Sequence, residues 1–459
     1  MTDRSAPETT STSGALGLTA CIALVVGNMI GSGVFLLPAS LAPFGPIAIG
    51  GWILTSAGAL VLAIIFGRLS RVVSKPGGPY AYSQEAFGDF AGFIIAWGYW
   101  IALWTGNAAV AVALVGYLGF LFPIIIEVPM YGLSTALVAI WTLTLINIRG
   151  VEGAGLVQIV TTVLKLAPLI LIGTLGIFWI NTENYVPVNQ SGTTAFTAIS
   201  AAAALTLWAY LGLESATVPS GDVIEPEKTI PRATVIGVII AASVYISVTA
   251  VSMGVIPAEL LAVSAAPLAA VGEVMFGPVG GVLVAVGAVI STFGTLNGFT
   301  LLSGQVPYGA ALDRVFPAAL GQKSKFGTPA NALILSNALA SVLIIMNYAQ
   351  GLVAAFNFVI LLAVVASLLP YAICSVAEIM IRLKGGQVLH GPELAKVVVL
   401  GALGFIYSVW AFIGSGAETV LVGSVLLLMG VPIHVWVRWS QANDIEEIQK
   451  TDSSKGELQ

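Results

Sequence analysis

Read along its length, the chain alternates long apolar runs with short polar joints. The runs fall at 14–42, 46–67, 91–121, 129–148, 154–180, 195–220, 233–255, 267–306, 329–348, 351–381, 396–414 and 419–438. A hydrocarbon core of roughly 30 Å takes about 20 helical residues at roughly 1.5 Å each, so the pattern predicts about twelve transmembrane helices. Long unbroken runs, rather than short segments of alternating polarity, argue against a β-barrel. Two runs are interrupted near their centres. In the first, the sequence GNMIGSG occupies Gly27–Gly33. In the sixth, TLWAYLGLES (206–215) sets bulky aromatics, Gly212 and a carboxylate into an alanine-rich stretch. Glycine disfavours a helix by roughly 1 kcal/mol per residue. Lipid tolerates non-helical backbone only where protein encloses it. Both runs therefore read as broken helices, the device that builds substrate sites near the bilayer midplane of transporters. A third interruption is expected at FGTLNG (293–298) of the eighth run.

Composition sharpens this picture. The 459 residues are 58% hydrophobic and 8% charged, with net charge −5 and mean hydropathy +0.98; soluble domains run near 25% charged. The net charge says little, but its placement is informative. With twelve spans, every Lys and Arg except Lys165 falls on one side of the membrane. The positive-inside rule then puts both termini in the cytoplasm of a multi-pass protein of the inner (cytoplasmic) membrane. No cleavable signal peptide is expected. Cys21 and Cys374 lie in apolar runs and imply no disulfide. The segments PGGPYAYSQEAFGDF (76–90) and IEPEKTIPRA (224–233) read as short interfacial turns or helices.

The first and sixth spans stand five apart, as two inverted five-helix repeats require. The expected organisation is a cytoplasmic tail (1–13), a ten-helix transport core (14–381), two peripheral helices (382–438) and a second cytoplasmic tail (439–459). Broken helices expose N–H groups at one half-helix end and carbonyls at the other. The first attract a carboxylate, the second an ammonium. Two crossed breaks thus suit the zwitterionic head of an amino acid. Gly31 to Gly33 and the Ser32 hydroxyl offer donors; the carbonyls of Met29, Trp208 and Leu211 offer acceptors. Lys165 is the single basic residue inside a span, a costly placement that marks a functional candidate. A buried amine yields its proton more readily, which suits a proton carrier. Glu214 is the partner carboxylate. Glu273 and Glu378, near span ends, are expected at the interface. His390 and His434 are far apart and imply no metal site.

The segments GNMIGSGVFLLPASLA, PGGPYAYSQEAFG, YWIALWTGNAAV, LWAYLGLESATV and LLSGQVPYGAALDRVFP together resemble the amino acid–polyamine–organocation (APC) superfamily, in particular its bacterial arginine/agmatine antiporter group. The similarity runs from about residue 14 to 435. It implies an all-α membrane protein of twelve helices in a LeuT-like 5+5 inverted repeat, with helices 1 and 6 broken and alternating access. It puts the substrate carboxylate at Ser32 and Gly33, the ammonium at the three carbonyls, Trp208 as an aromatic gate, Tyr99 as a lower gate and Asn107 at the distal end of the substrate side chain. Ile30, Gly31, Ala102 and Phe356 complete the implied site, and Glu214 becomes a proton-sensitive link. Lys165 resembles the fifth-span lysine that stands in for sodium in sodium-independent members.

The departures from that group point elsewhere. Phe299 replaces a tryptophan, Ala363 a serine and Leu103 a cysteine. Each removes a polar or cation-binding group, and phenylalanine is the weaker cation–π partner. A buried cation with few partners is costly. The reading therefore leans to neutral amino acids, carried without sodium and with proton coupling. Amino acid/amine exchange, including the arginine/agmatine type, is the alternative, and an amino-acid-sensing receptor is the rival of another class. Expected partners are the amino acid, protons and the bilayer, with a homodimer as a further expectation; no cofactor and no nucleic acid are implied. No nucleophile–base pair or metal cluster within the spans suggests an enzyme, and no ring of charge suggests a channel.

Overall fold

The computed structural model describes residues 16–73, 78–150, 154–217, 223–347 and 351–442, and for 154–164 the backbone alone. The N-terminal tail, most of the C-terminal tail and the start of the 76–90 segment lie outside the described residues. The helices are α1 (Leu18–Met29), α2 (Ser32–Leu41), α3 (Ala48–Val72), α4 (Pro79–Phe87), α5 (Asp89–Leu121), α6 (Ile124–Glu127), α7 (Pro129–Arg149) and α8 (Ala154–Leu175). They continue as α9 (Ala195–Leu207), α10 (Pro226–Val255), α11 (Ala258–Ala262), α12 (Pro267–Leu312), α13 (Ala330–Asn347), α14 (Leu352–Lys384), α15 (Gly391–Gly414) and α16 (Ala417–Leu428). No β-strand occurs among the described residues; Leu16 and Val223 form an isolated bridge.

Within the described residues, each apolar run is built of helix. Among the described residues, nine stretches are long and apolar enough to cross a membrane, and Leu18–Met29, Lys165–Trp179 and Ala330–Met346 are shorter apolar helices. The final stretch runs through Ala442, so it ends later than the expected 438. The 224–233 segment is mostly the start of α10, with Pro226 in its first turn, where a missing N–H costs nothing.

Burial ranks the helices. In α5, 94% of the most apolar window is buried, against 33% in α15 and 22% in the last stretch. The first is the central post and the others form the perimeter. Outward-facing positions expose Ile53, Val138, Ile406 and Leu428, a surface that lipid solvates without penalty and water does not. Small residues set the closest crossings, as expected where lipid supplies no hydrophobic drive between helices. A Cβ on Gly51 of α3 would stand 2.7 Å from Ala202 Cβ on α9.

Both predicted breaks are present. Between α1 and α2, Ile30 (φ −79°, ψ 84°) and Gly31 (φ −122°, ψ −138°) leave the helical region. After α9 the chain makes one 3₁₀ turn at Trp208–Tyr210, extends at Leu211 (φ −62°, ψ 133°), and turns at Gly212 with φ +97°.

The third break is not where the sequence suggested. FGTLNG (293–298) is continuous helix, and α12 is interrupted instead at Gly277 (φ 69°, ψ −169°). Pro278 explains the difference, because a proline excludes the residue before it from the helical region. Gly294 and Gly298 have no such neighbour, and isolated glycines inside a helix only weaken it. Glu378 is paired on both sides. It is 5% exposed, accepts from Arg68 Nε at 2.7 Å and from Arg382 Nε at 2.9 Å, and so lies between two guanidiniums. Arg68 also reaches Glu393, which ties α3 to α14 and α15. Glu273 is exposed.

Candidate substrate site

The break in α1 has a specific consequence for hydrogen bonding. An unbroken helix would direct the Gly31 N–H to the Gly27 carbonyl four residues back. Here it turns to Met29 O, at 2.9 Å. The Gly27 carbonyl accepts instead from Lys165 Nζ, at 2.5 Å. Lys165 is 3% exposed, so it does not snorkel to an interface. Its ammonium sits at the C-terminal end of α1, where the helix dipole is negative.

The two breaks meet. A Cβ on Gly212 would lie 3.3 Å from Asn28 Cβ. One on Gly33 would lie 3.1 Å from both Ala209 Cβ and Trp208 Cδ1. One on Gly31 would lie 2.8 Å from Thr295 Cγ2 on α12. Ser32, at the start of α2, has a buried hydroxyl with no partner, next to the first turn whose N–H groups have no intrahelical acceptor. Across from it, the tight turns use part of the acceptor capacity of the second break. Trp208 O accepts from Leu211 N at 3.2 Å, and Ala209 O accepts from Tyr245 Oη at 2.8 Å. Each carbonyl oxygen has a second lone pair, so Met29 and Trp208 can still receive an ammonium.

Trp208 packs on Phe299, with ring centroids 6.1 Å apart and planes at 41°. Gly106 makes room for the pair: a Cβ there would stand 2.8 Å from Phe299 Cε1 and 3.0 Å from Trp208 Cη2. A cavity of about 10 Å³, roughly one water in size, lies between Gly27, Asn28, Lys165, Ser291, Thr295 and Phe299. Lys165 and the expected distal residue Phe299 thus border one space.

Glu214 and Tyr99 form a second cluster. Glu214 is 1% exposed. Its carboxylate accepts from Tyr371 Oη at 2.8 Å, and Tyr99 lies beside it. Tyr99 in turn borders a cavity of about 340 Å³ that extends to Tyr80 and Asp313, at whose mouth Tyr80 Oη donates to Asp313 at 2.9 Å. Of the remaining expected residues, Ala102, Leu103, Phe356 and Ala363 are all buried. Ala102 and Leu103 lie one turn before Gly106 on α5, and Phe356 and Ala363 share a face of α14 seven residues apart. Asn107 is tied to other helices: it donates to Asn337 Oδ1 at 3.0 Å and to Thr300 Oγ1 at 3.3 Å. Sequence reasoning missed Gly106, Thr295, Tyr371 and Asn337, whose roles exist only through contacts between distant helices. Among the described residues no cluster of three or more His, Cys, Asp or Glu is placed to hold a metal.

Many apolar helices packed around two interrupted ones that meet are the architecture of a multi-pass membrane transporter. The family description "amino acid permease" matches residues 16–437, and the chain belongs to that family, within the APC superfamily. It is 33% identical over 426 residues to the cadaverine/lysine antiporter of Escherichia coli (strain K12), covering 90% of this chain and 94% of the relative. It is 33% identical over 431 residues to the arginine/ornithine antiporter of Pseudomonas aeruginosa, covering 90% and 89%. The putrescine transporter of Haemophilus influenzae is 32% identical over 426 residues, covering 92% and 97%. The protein is a membrane transporter and not an enzyme.

Proposed function

We propose that this protein exchanges a basic amino acid for a second amino acid or an amine across the cytoplasmic membrane, with both termini inside. The contact between the two breaks carries this reading. The donors at Ser32–Gly33 take the substrate carboxylate, and the carbonyls of Met29, Trp208 and Leu211 take its α-ammonium. Trp208 and Phe299 close over the substrate on one side, while Tyr99, next to Glu214, closes on the other. The ten spans built from the helices α1 through α14 work as two inverted five-span repeats, and α15 and α16 with its continuation pack outside them to complete twelve spans. Alternating access follows when the bundle carrying the breaks rocks against its scaffold. Lys165 occupies the position of a bound cation beside α1, so the cycle needs no sodium. The names of the relatives, all of them carriers of basic amino acids or amines, support exchange and a basic substrate.

Proteoliposomes test this reading. Vesicles loaded with unlabelled ornithine are expected to take up external radiolabelled ornithine at least about tenfold faster than empty ones, the dependence that obligatory exchange imposes. Uptake into empty vesicles driven by a pH gradient alone would favour proton symport, and binding without uptake would favour a sensor.

A second reading, proton-coupled transport of neutral amino acids, is favoured by Phe299 and Ala363, which supply no polar group to a cationic side chain. The double variant Phe299→Trp/Ala363→Ser restores a strong cation–π face and a hydroxyl. Arginine is expected to compete about threefold to tenfold better in that variant. Unchanged competition contradicts the assignment of these two positions.

A further inference from the structure

Asn107 of α5, Thr300 of α12 and Asn337 of α13 are fully buried and form one polar cluster. It adjoins the Trp208–Phe299 ring pair, since Asn107 follows Gly106 and Thr300 follows Phe299. Asn337 Nδ2 donates to the Leu333 carbonyl at 3.0 Å. This bond fixes the direction of the Asn337 amide, because turning it over would set one oxygen acceptor against another. The Asn337 Oδ1 must then face Asn107, and it accepts from Asn107 Nδ2 at 3.0 Å. The same amino group donates to Thr300 Oγ1 at 3.3 Å, so both Asn107 amide protons are engaged. What remains is Asn107 Oδ1, buried and without a partner. Buried polar oxygens are nearly always paired. A lone acceptor here calls for a donor that the surrounding side chains do not supply.

We infer that Asn337 is a specificity-determining positioning residue: held by Leu333, it turns the carbonyl oxygen of Asn107 toward the distal end of the substrate. The site thereby selects side chains that end in an N–H donor, an ammonium or a guanidinium, over side chains that end in an acceptor. This deepens the proposed function and rests on its reading of Asn107 as the distal contact. The signal lies in a relay through a helix that the substrate does not touch. Removing Asn337 frees the Asn107 amide to turn over and present its amino group instead.

The test is competition against bound radiolabelled ornithine, with lysine as the donor-ended competitor and methionine sulfone as the neutral, acceptor-ended one. The wild-type protein is expected to prefer lysine by at least about tenfold, the kind of margin a hydrogen-bonding site gives. In Asn337→Leu that preference falls by about tenfold. In Asn337→Asp, whose carboxyl group when protonated still donates to Leu333 and accepts from Asn107, it is kept. A merely structural role for Asn337 would weaken both competitors alike and leave their ratio unchanged, and that result overturns the inference. The ratio does not depend on how much protein folds, and Asn337→Ala carries the same test if Asn337→Leu does not reach the membrane. Wild-type protein that shows no preference for lysine, or binds no ornithine, refutes the basic-substrate reading itself. A wild-type preference that survives in Asn337→Leu refutes the relay alone.

Discussion

Replacing Lys165 by alanine is expected to lower transport by about 10- to 100-fold and to abolish any component driven by a proton gradient. Lys165 Nζ is the partner that the structure gives to the Gly27 carbonyl, a group released from its usual role because Gly31 bonds to Met29. A hydrogen bond from a charged donor is worth about 1.5–3 kcal/mol, and each 1.4 kcal/mol is a factor of about ten. Alanine removes that bond, leaves the carbonyl bare beside the substrate site and enlarges the small cavity that Lys165 shares with Thr295 and Phe299. Initial rates of ornithine uptake in proteoliposomes, with and without an imposed pH gradient, measure the effect. Unchanged pH-driven uptake in Lys165→Ala would remove the residue from the mechanism.

The second large effect is expected at Gly212. This residue turns the chain at φ +97°, a conformation that glycine enters freely and a β-branched residue enters only with strain of about 1–3 kcal/mol. A side chain there also meets Asn28, 3.3 Å from the ideal Cβ position, and pushes the two breaks apart. Gly212→Val is expected to reduce substrate affinity by about 100-fold, while Gly212→Ala, with a smaller side chain, loses about tenfold. Equilibrium binding of radiolabelled ornithine measures both. Equal affinity in wild type and Gly212→Val would mean that this turn does not shape the site.

The sequence made some parts of this architecture legible and hid others. Apolar runs are visible because lipid demands long uninterrupted stretches, and GNMIGSG stood out because three glycines in seven residues contradict a helix. Lys165 stood out for the same kind of reason, as a charge where charge is costly. The eighth-run break was misplaced because glycine alone was weighed, whereas Gly277 breaks the helix together with Pro278. The pairing of Glu378 with Arg68 is hidden for another reason: the two lie 310 residues apart, a separation that no local pattern encodes. The same holds for Tyr371 on Glu214 and Asn337 on Asn107. Periodicity tells which face of a helix is buried, not which distant helix covers it. The neutral-substrate leaning came from single replacements at Phe299, Ala363 and Leu103. The unpaired oxygen of Asn107 is visible only in the packing of α5 against α13.

The central claim is that the two interrupted helices jointly hold the head group of an amino acid. An experimental density map of the protein with ornithine bound tests it most directly. The account predicts the carboxylate within hydrogen-bond distance of the Ser32 and Gly33 backbone N–H groups, and the α-ammonium against the carbonyls of Met29, Trp208 and Leu211. Ornithine lodged instead in the cavity beside Tyr80 and Asp313, touching neither break, would contradict it.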